Sequence, residues 1–242
     1  MPTAPPPKPD LPRRFYKAVS TEPADGGWQI LLDGRPVKTP AKAGLVLPTE
    51  ALAELVAAEW DAQDTQIDPA TMPLTRLVNV AIDRAPETRE DLAAEVAKYT
   101  ATDLVCHLAD TPTELRDRQE EKWRPLRDWA GRELGVLLVP VEGIIAPAQP
   151  DASTKAAYDH AFSLDDFRLT ALAWATALYG SAILALAVEQ GEIDAEDAFE
   201  RSRIDEAWQI EQWGEDDEAR IATDNRRADA RALGQLFTAL KR

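Results

Sequence analysis

The sequence is short of the residues from which most catalytic and ligand-binding devices are built. It has one cysteine, Cys106, and two histidines, His107 and His160, among 242 residues. A lone thiol cannot close an internal disulfide, so a reducing compartment suits the chain. Three Cys and His residues without paired ligand spacing make no zinc site, and no metal or other cofactor is expected. Glycine is scarce too: there are 11, and no two are separated by a single residue. That spacing excludes the G-x-G-x-x-G dinucleotide turn and the G-x-S-x-G nucleophile elbow, and the phosphate loop of nucleotide triphosphatases is also absent. Basic residues are outnumbered, 27 Lys and Arg against 43 Asp and Glu, giving a net charge of -16. Phosphate backbones and anionic headgroups would repel such a chain, which argues against nucleic-acid partners and polybasic membrane binding.

The first residues, Met1 to Asp10, are Pro-rich and have neither the apolar core of a signal peptide nor the Arg-rich amphipathic pattern of a transit peptide. Residues 1–12 read as a flexible lead. Beyond them the chain has what a folded protein needs: 45% hydrophobic residues, seven tryptophans, and length to bury on the order of 70% of its unfolded surface.

Two patterns divide the chain. From Arg14 to Pro48, short β-like runs (Phe15 to Val19, Trp28 to Leu32, Pro36 to Thr39, Gly44 to Leu47) are punctuated by Asp25-Gly26-Gly27 and Asp33-Gly34. Asp-Gly between apolar runs favours a tight hairpin turn. At Thr49 the period changes to helical, with Leu52, Leu55, Val56 and Trp60 on one side, Thr49 as cap and Glu50 at the positive end. One helix, about Glu50 to Gln63, should pack on the hairpins. After Met72-Pro73 every long segment reads as helix: Leu74 to Asp83, Glu87 to Ala109, Thr113 to Leu134, Ser153 to His160, Leu164 to Gln190 and Ala195 to Trp213. The expected fold is α+β, with a small β-rich domain over residues 13–70 carrying one packed helix, and a larger all-α bundle over 71–242.

From Leu169 to Val188 no charge interrupts 20 residues. At about 1.5 Å per residue such a run is long enough to cross a bilayer. Its seven alanines, its Thr, Ser and Gly content and its acidic flanks instead favour a buried bundle helix, with Gly180 a candidate break, so no membrane insertion is expected.

Between Glu189 and Asp229 lie 15 acidic residues and 5 arginines, so these 41 residues carry -10 of the total charge. Such charges often do no more than keep a helix surface soluble. Here they are interleaved with Trp208, Ile210 and Trp213, and helical spacing puts Glu206, Gln209 or Ile210, and Trp213 on one side. A carboxylate, an amide and an indole along one edge suit protein recognition. The tryptophans read equally well as ordinary core.

The catalytic alternatives are poorly supplied. Glu206 with Glu211, or Asp216 with Asp217, could serve a carboxylate-dependent hydrolase only if opposed across a cleft. Cys106 and His107 are neighbours and point about 100° apart on a helix, so they read as a buried thiol and a satisfied imidazole. His160 reads as a favourable charge at a helix C-terminus.

Read from the residues alone, this is an acidic, two-part, protein-binding chain. A collinear series of segments also resembles a known family. It begins at Arg14-Phe15-Tyr16-Lys17 and Leu32-Asp33-Gly34-Arg35-Pro36-Val37-Lys38-Thr39-Pro40. It continues through Leu47-Pro48-Thr49, Glu59-Trp60-Asp61-Ala62-Gln63 and Met72-Pro73-Leu74-Thr75. Tyr99-Thr100-Ala101-Thr102-Asp103-Leu104 and Trp123-Arg124-Pro125 follow, and the series ends in Glu206-Ala207-Trp208-Gln209-Ile210-Glu211-Gln212-Trp213-Gly214. These resemble the assembly chaperones of F1-ATPase that receive the alpha subunit, called assembly factor 2 in mitochondria.

The resemblance implies a non-enzymatic chaperone that binds the free alpha subunit, shields its beta-facing surface and is displaced by beta. It points to Glu206, Gln209, Glu211, Trp213 and Gly214 as client-binding positions, with Asp216 and Asp217 as an acidic extension and Gly214 as a left-handed helix cap. The Arg35 to Pro40 hairpin end is a second candidate surface, and reads equally as a structural turn and strand. A chaperone displaced by beta needs no self-association, so a monomer is expected. Lacking a long basic presequence, the chain is expected in a bacterial cytoplasm, or in the mitochondrial matrix if its source is eukaryotic. An acidic adaptor for another partner is the alternative.

Overall fold

A computed structural model describes residues 11–143 and 148–241, so the first ten residues of the expected lead lie outside the described residues. The chain divides into two compact units between Asn79 and Val80.

In the first unit, two Asp-Gly turns set the sheet. Asp25-Gly26 joins β1 (Val19–Ala24) to β2 (Gly27–Leu32), antiparallel from Ala24 opposite Gly27 to Val19 opposite Leu32. Asp33 and Gly34 both take positive φ, 48° and 75°, as a two-residue hairpin turn requires, and lead into β3 (Arg35–Pro36) beside β2. β4 (Val46–Leu47) pairs with the other end of β2. Gly27 is forced by space there, because a Cβ would lie 2.1 Å from the Leu47 carbonyl oxygen. The first strand begins where the expected run Phe15 to Val19 ends. A two-residue turn pairs the residues directly preceding it, so the register is fixed by Asp25-Gly26 rather than by the aromatic run, and Phe15 and Tyr16 precede the sheet.

α1 (Glu50–Asp61) starts as its sequence requires: the Thr49 hydroxyl accepts the Leu52 amide at 3.2 Å, and Leu52, Ala53 and Val56 are fully buried on a face packed against β1 and β2. A 3-10 turn, Pro69–Thr71, then leads to α2 (Pro73–Asp83). The last turn of α1 holds the start of α2. Glu59 accepts the Leu74 and Thr75 amides and the Thr75 hydroxyl, each at 2.7 Å, and so caps α2 with a charged acceptor. Buried Gln63 donates to the Glu59 carbonyl and the Thr71 hydroxyl and accepts the Asp68 amide. The sequence places the change from hairpins to helices near residue 70, and the compact units divide inside α2.

The second unit is helical: α3 (Ala85–Ala101), α4 (Thr113–Glu133), α5 (Asp151–Ser163), α6 (Asp166–Tyr179), α7 (Ala182–Gln190), α8 (Ala195–Arg201), α9 (Ile204–Trp213) and α10 (Asp217–Ala239). Two short parallel strands, β5 (His107–Leu108) and β6 (Val141–Glu142), pair at its side. A small sheet-bearing unit followed by a larger helical one is the α+β architecture read from the sequence.

Three expected helices are cut. The uncharged run is two helices, because Gly180 takes φ 66° and ψ 17° and Ser181 caps α7 through its hydroxyl. Eight of the nine α7 residues are buried, which accounts for the apolar run by packing. Among the described residues no helix is long and apolar enough to cross a membrane. The expected helix to Ala109 stops at Ala101, where Asp103 redirects the chain. Its fully buried carboxylate accepts the Val105 amide of a 3-10 turn at 3.2 Å and the Ile183 amide at the start of α7 at 3.0 Å. The third expected helix splits into α8 and α9 at Ser202 and Arg203. α10, the longest helix, packs on α8 and α6, in a stretch for which the sequence reading gives no bounds.

Candidate functional site

The expected client-binding residues lie on α9 and the joint after it, and α4 is the platform that holds α9. Arg118 of α4 donates to both Glu211 oxygens, at 2.7 and 3.0 Å, while its guanidinium lies 5.0 Å from the Trp208 ring centre. Gln119 accepts the Ala109 amide and donates to Asp205 at 2.5 Å. Fully buried Trp123 donates its indole N–H to the Arg201 carbonyl just before α9, at 2.9 Å. Ile204 is the one α9 residue wholly in the core. Arg118 and Gln119 of α4 thus fix one side of α9, and Trp123, one turn on, holds the end of α8 that leads into it.

The opposite edge is free of the platform. Glu206, Gln209 and Trp213 are exposed, and Trp213 is 79% exposed, the most open large hydrophobic side chain among the described residues. Glu206 has one cation near it, Arg203 at 3.8 Å, the residue just before its own helix. The i, i+3, i+7 spacing does bring a carboxylate, an amide and an indole to one outward face. The two tryptophans separate: Trp208 is half-buried under Arg118, while Trp213 is open.

The other predicted positions take different roles. Glu211 is bound to Arg118, whose hydrogen bonds hold its carboxyl below the ordinary range. Gly214 ends α9 with φ 82° and ψ 171°. That is a positive-φ residue but not the left-handed cap expected, because its extended ψ swings the chain away at once instead of wrapping a further turn. Asp216 caps α10, its carboxylate accepting the Ala219 amide at 2.8 Å, and Asp217 pairs with Arg220 in the first turn. These two acids satisfy a helix start, while every residue from Glu211 to Ala222 stays exposed.

Asp205 lies beside this edge. Burial raises its carboxyl against the hydrogen bond from Gln119, and the charge of Glu206 raises it further. Sequence reasoning missed Arg118 and Gln119. The Arg118–Glu211 pair spans 93 positions, and no local pattern marks an arginine on a charged helix as a clamp. The one available signal was Trp123 in the Trp123-Arg124-Pro125 segment.

The remaining chemistry-bearing residues are structural. Cys106 is buried, and burial pushes its thiol up to about 12, as expected of an inert core thiol. His160 lies in the last turn of α5, as expected, and is half-buried there. Its Nε2 lies 3.0 Å from buried Glu189, which also accepts from Arg168 at 2.8 Å.

Comparison with known proteins places the chain in a family. The model of the family described as ATP12 chaperone protein matches residues 13–131. Protein atp12, mitochondrial, of Schizosaccharomyces pombe is 30% identical over 224 residues, covering 88% of this chain and 77% of that one. The crystal structure of Atp12 from Paracoccus denitrificans is 43% identical, with a TM-score of 0.88 over 95% of this chain and 99% of that one. The crystal structure of the Agrobacterium tumefaciens protein Atu1473 is 41% identical, with a TM-score of 0.90 over 96% of this chain and 87% of that one. The chain therefore belongs to the ATP12 chaperone family, the F1 assembly chaperones that its motifs resemble.

Proposed function

We propose that this chaperone holds the free alpha subunit of F1-ATPase, covers the surface that later meets beta, and gives it up as beta arrives. The observation that carries the reading is the open α9 edge, a 79% exposed Trp213 in line with Gln209 and Glu206 on a helix fixed from behind by α4. A large indole left in water costs hydrophobic free energy that a partner's apolar surface would recover. The neighbouring carboxylate and amide give direction. A modest contact of this kind is one that beta, with a larger interface, can displace.

In this reading the chain is not an enzyme and acts as a monomer in a bacterial cytoplasm, or in the matrix of a mitochondrion. Glu206 and Glu211 support it. Both are exposed on one short helix, and Glu211 is committed to Arg118, so they do not oppose one another as an acid and base must. Co-expression with the alpha subunit alone tests the reading. The parent chain should keep alpha soluble, and Trp213→Ala or Glu206→Lys should let most of it aggregate. If the parent leaves alpha insoluble, the reading is lost, and a pull-down without any ATP synthase subunit would favour an adaptor instead.

A further inference from the structure

We infer a second binding site in the first unit: a groove beside the β2–β3 turn that takes a polypeptide segment in which carboxylates flank a large apolar side chain. The groove has a volume of about 560 Å³. Phe15 stands at its side 74% exposed, its ring edge-on to Tyr16 at 5.3 Å, and Leu32, Pro36 and Val37 extend the apolar lining. An aromatic ring this open, next to an apolar recess, offers buried area to a partner.

The polar groups around the groove decide what that partner carries, because most are already engaged. The Tyr16 hydroxyl donates to the Trp60 carbonyl at 2.6 Å. The Trp60 indole N–H is covered and reaches no acceptor, so the floor presents no accessible donor. Asp33 accepts the Lys17 and Ala18 amides at 3.0 and 2.9 Å, and those backbone hydrogen bonds hold its carboxyl below the ordinary range. What is left is Arg35 and Lys38, both exposed, with no ion pair among the described residues.

Charge complementarity then names the occupant. Residues 11–48 contain six basic residues (Arg13, Arg14, Lys17, Arg35, Lys38, Lys42) and three acidic ones (Glu22, Asp25, Asp33), a net of +3 in a chain of net -16. Of the six, Arg14 is paired with Asp61 while Arg35 and Lys38 line the groove, and two cations without an ion pair among the described residues, next to an open ring, select a carboxylate adjacent to an apolar side chain. A nucleic acid is disfavoured because the rest of the chain repels it and the lining is apolar.

The inference rests on the chaperone reading only in taking the segment to belong to a client. The test uses the full chain and fluorescein-labelled peptides carrying Asp-Phe-Asp between Gly-Ser flanks, with Lys-Phe-Lys and Asp-Gly-Asp peptides as controls. The Asp-Phe-Asp peptide should bind more tightly than either control by at least about tenfold, the order expected for losing one anchoring group. Binding should weaken with salt. Phe15→Ala, and separately the pair Arg35→Glu and Lys38→Glu, should each reduce it by about tenfold, while Trp213→Ala leaves it unchanged. All these positions are exposed, and unchanged thermal melts would confirm that the variants fold. Equal binding of the control peptides, full displacement by polyphosphate with no dependence on the Phe residue, or binding untouched by the groove variants would overturn the site. If the parent binds the peptide but holds no alpha subunit, the proposed function falls and the groove stands. If it holds alpha but not the peptide, the groove falls alone.

Discussion

Two stretches that carry the family resemblance, Glu59 to Thr75 and Glu206 to Gly214, use glutamate in opposite ways. Glu59 is largely buried and accepts three hydrogen bonds from the start of α2. Burial lifts its carboxyl above the ordinary range, and the hydrogen bonds from Thr75 and Leu74 work against that rise. Glu206 is exposed, with a single long contact to Arg203. The first glutamate keeps the fold together, and the second is left over once folding is complete. A motif shared within a family therefore does not say which of its residues face a partner. The hydrogen-bond inventory does, since a side chain whose polar atoms are all used inside the molecule has little to offer outside it.

That contrast can be broken by stability measurements. The largest loss belongs to a buried carboxylate. Glu189→Gln, which leaves Arg168 facing an amide, should cost about 3 kcal/mol at pH 7 by denaturant unfolding. Burial pushes the Glu189 carboxyl up, but hydrogen bonds from His160, Gln190 and Arg168 outweigh it and hold the group at about 2 against an ordinary 4.5. Its stabilisation is therefore present above pH 4.5 and lost as pH falls towards 2, so the gap between variant and parent should close over that window.

Asp103 has the opposite sign. Burial raises it from 3.8 to about 6, against hydrogen bonds that include Ser181, Ile183 and Val105. The folded chain keeps a proton that the unfolded chain has released, so this group makes stability fall as pH rises from 3.8 to about 6. Asp103→Asn should remove that slope.

Next in size, Glu59→Ala should cost about 2 kcal/mol, because the buried amides at the start of α2 lose their acceptor. Arg118→Ala should cost under about 1 kcal/mol, the usual value of a partly exposed ion pair, yet lower the amount of alpha held several-fold by freeing α9 from α4. Smallest in stability is Trp213→Ala, within about 0.5 kcal/mol of the parent, with the greatest loss of alpha holding. If Trp213→Ala unfolds the chain as badly as Glu59→Ala, the division into fastening and contacting residues fails.

The sequence made the α+β order legible because its signals there are local: Asp33-Gly34 for a hairpin turn, Thr49 for a helix cap, Gly180 for a break between α6 and α7. It also pointed to the outward edge of α9, since i, i+3, i+7 spacing is itself a statement about one face. What it hid depends on residues far apart in the chain. Arg118 meets Glu211, Asp103 caps α7 from 80 positions away, and the orientation of α9 comes from α4. Even at Gly214 the residue type announced an end to the helix but not the torsion that makes it, and at Phe15 the β-propensity of an aromatic run lost to the register imposed by the next turn.

The φ of 82° and ψ of 171° at Gly214 have a consequence for how this surface could be altered. A Cβ placed there would meet nothing within 4 Å. The residue is required by torsion alone, in a region that is nearly closed to any other amino acid. The direction in which α10 departs from the open tryptophan is thus an angle stored where no side chain exists. Replacing this glycine with alanine would delete no contact and crowd no neighbour, yet it would re-aim the acidic helix relative to Trp213. A loss of client holding in that variant would be a readout of geometry with all the recognising groups still present.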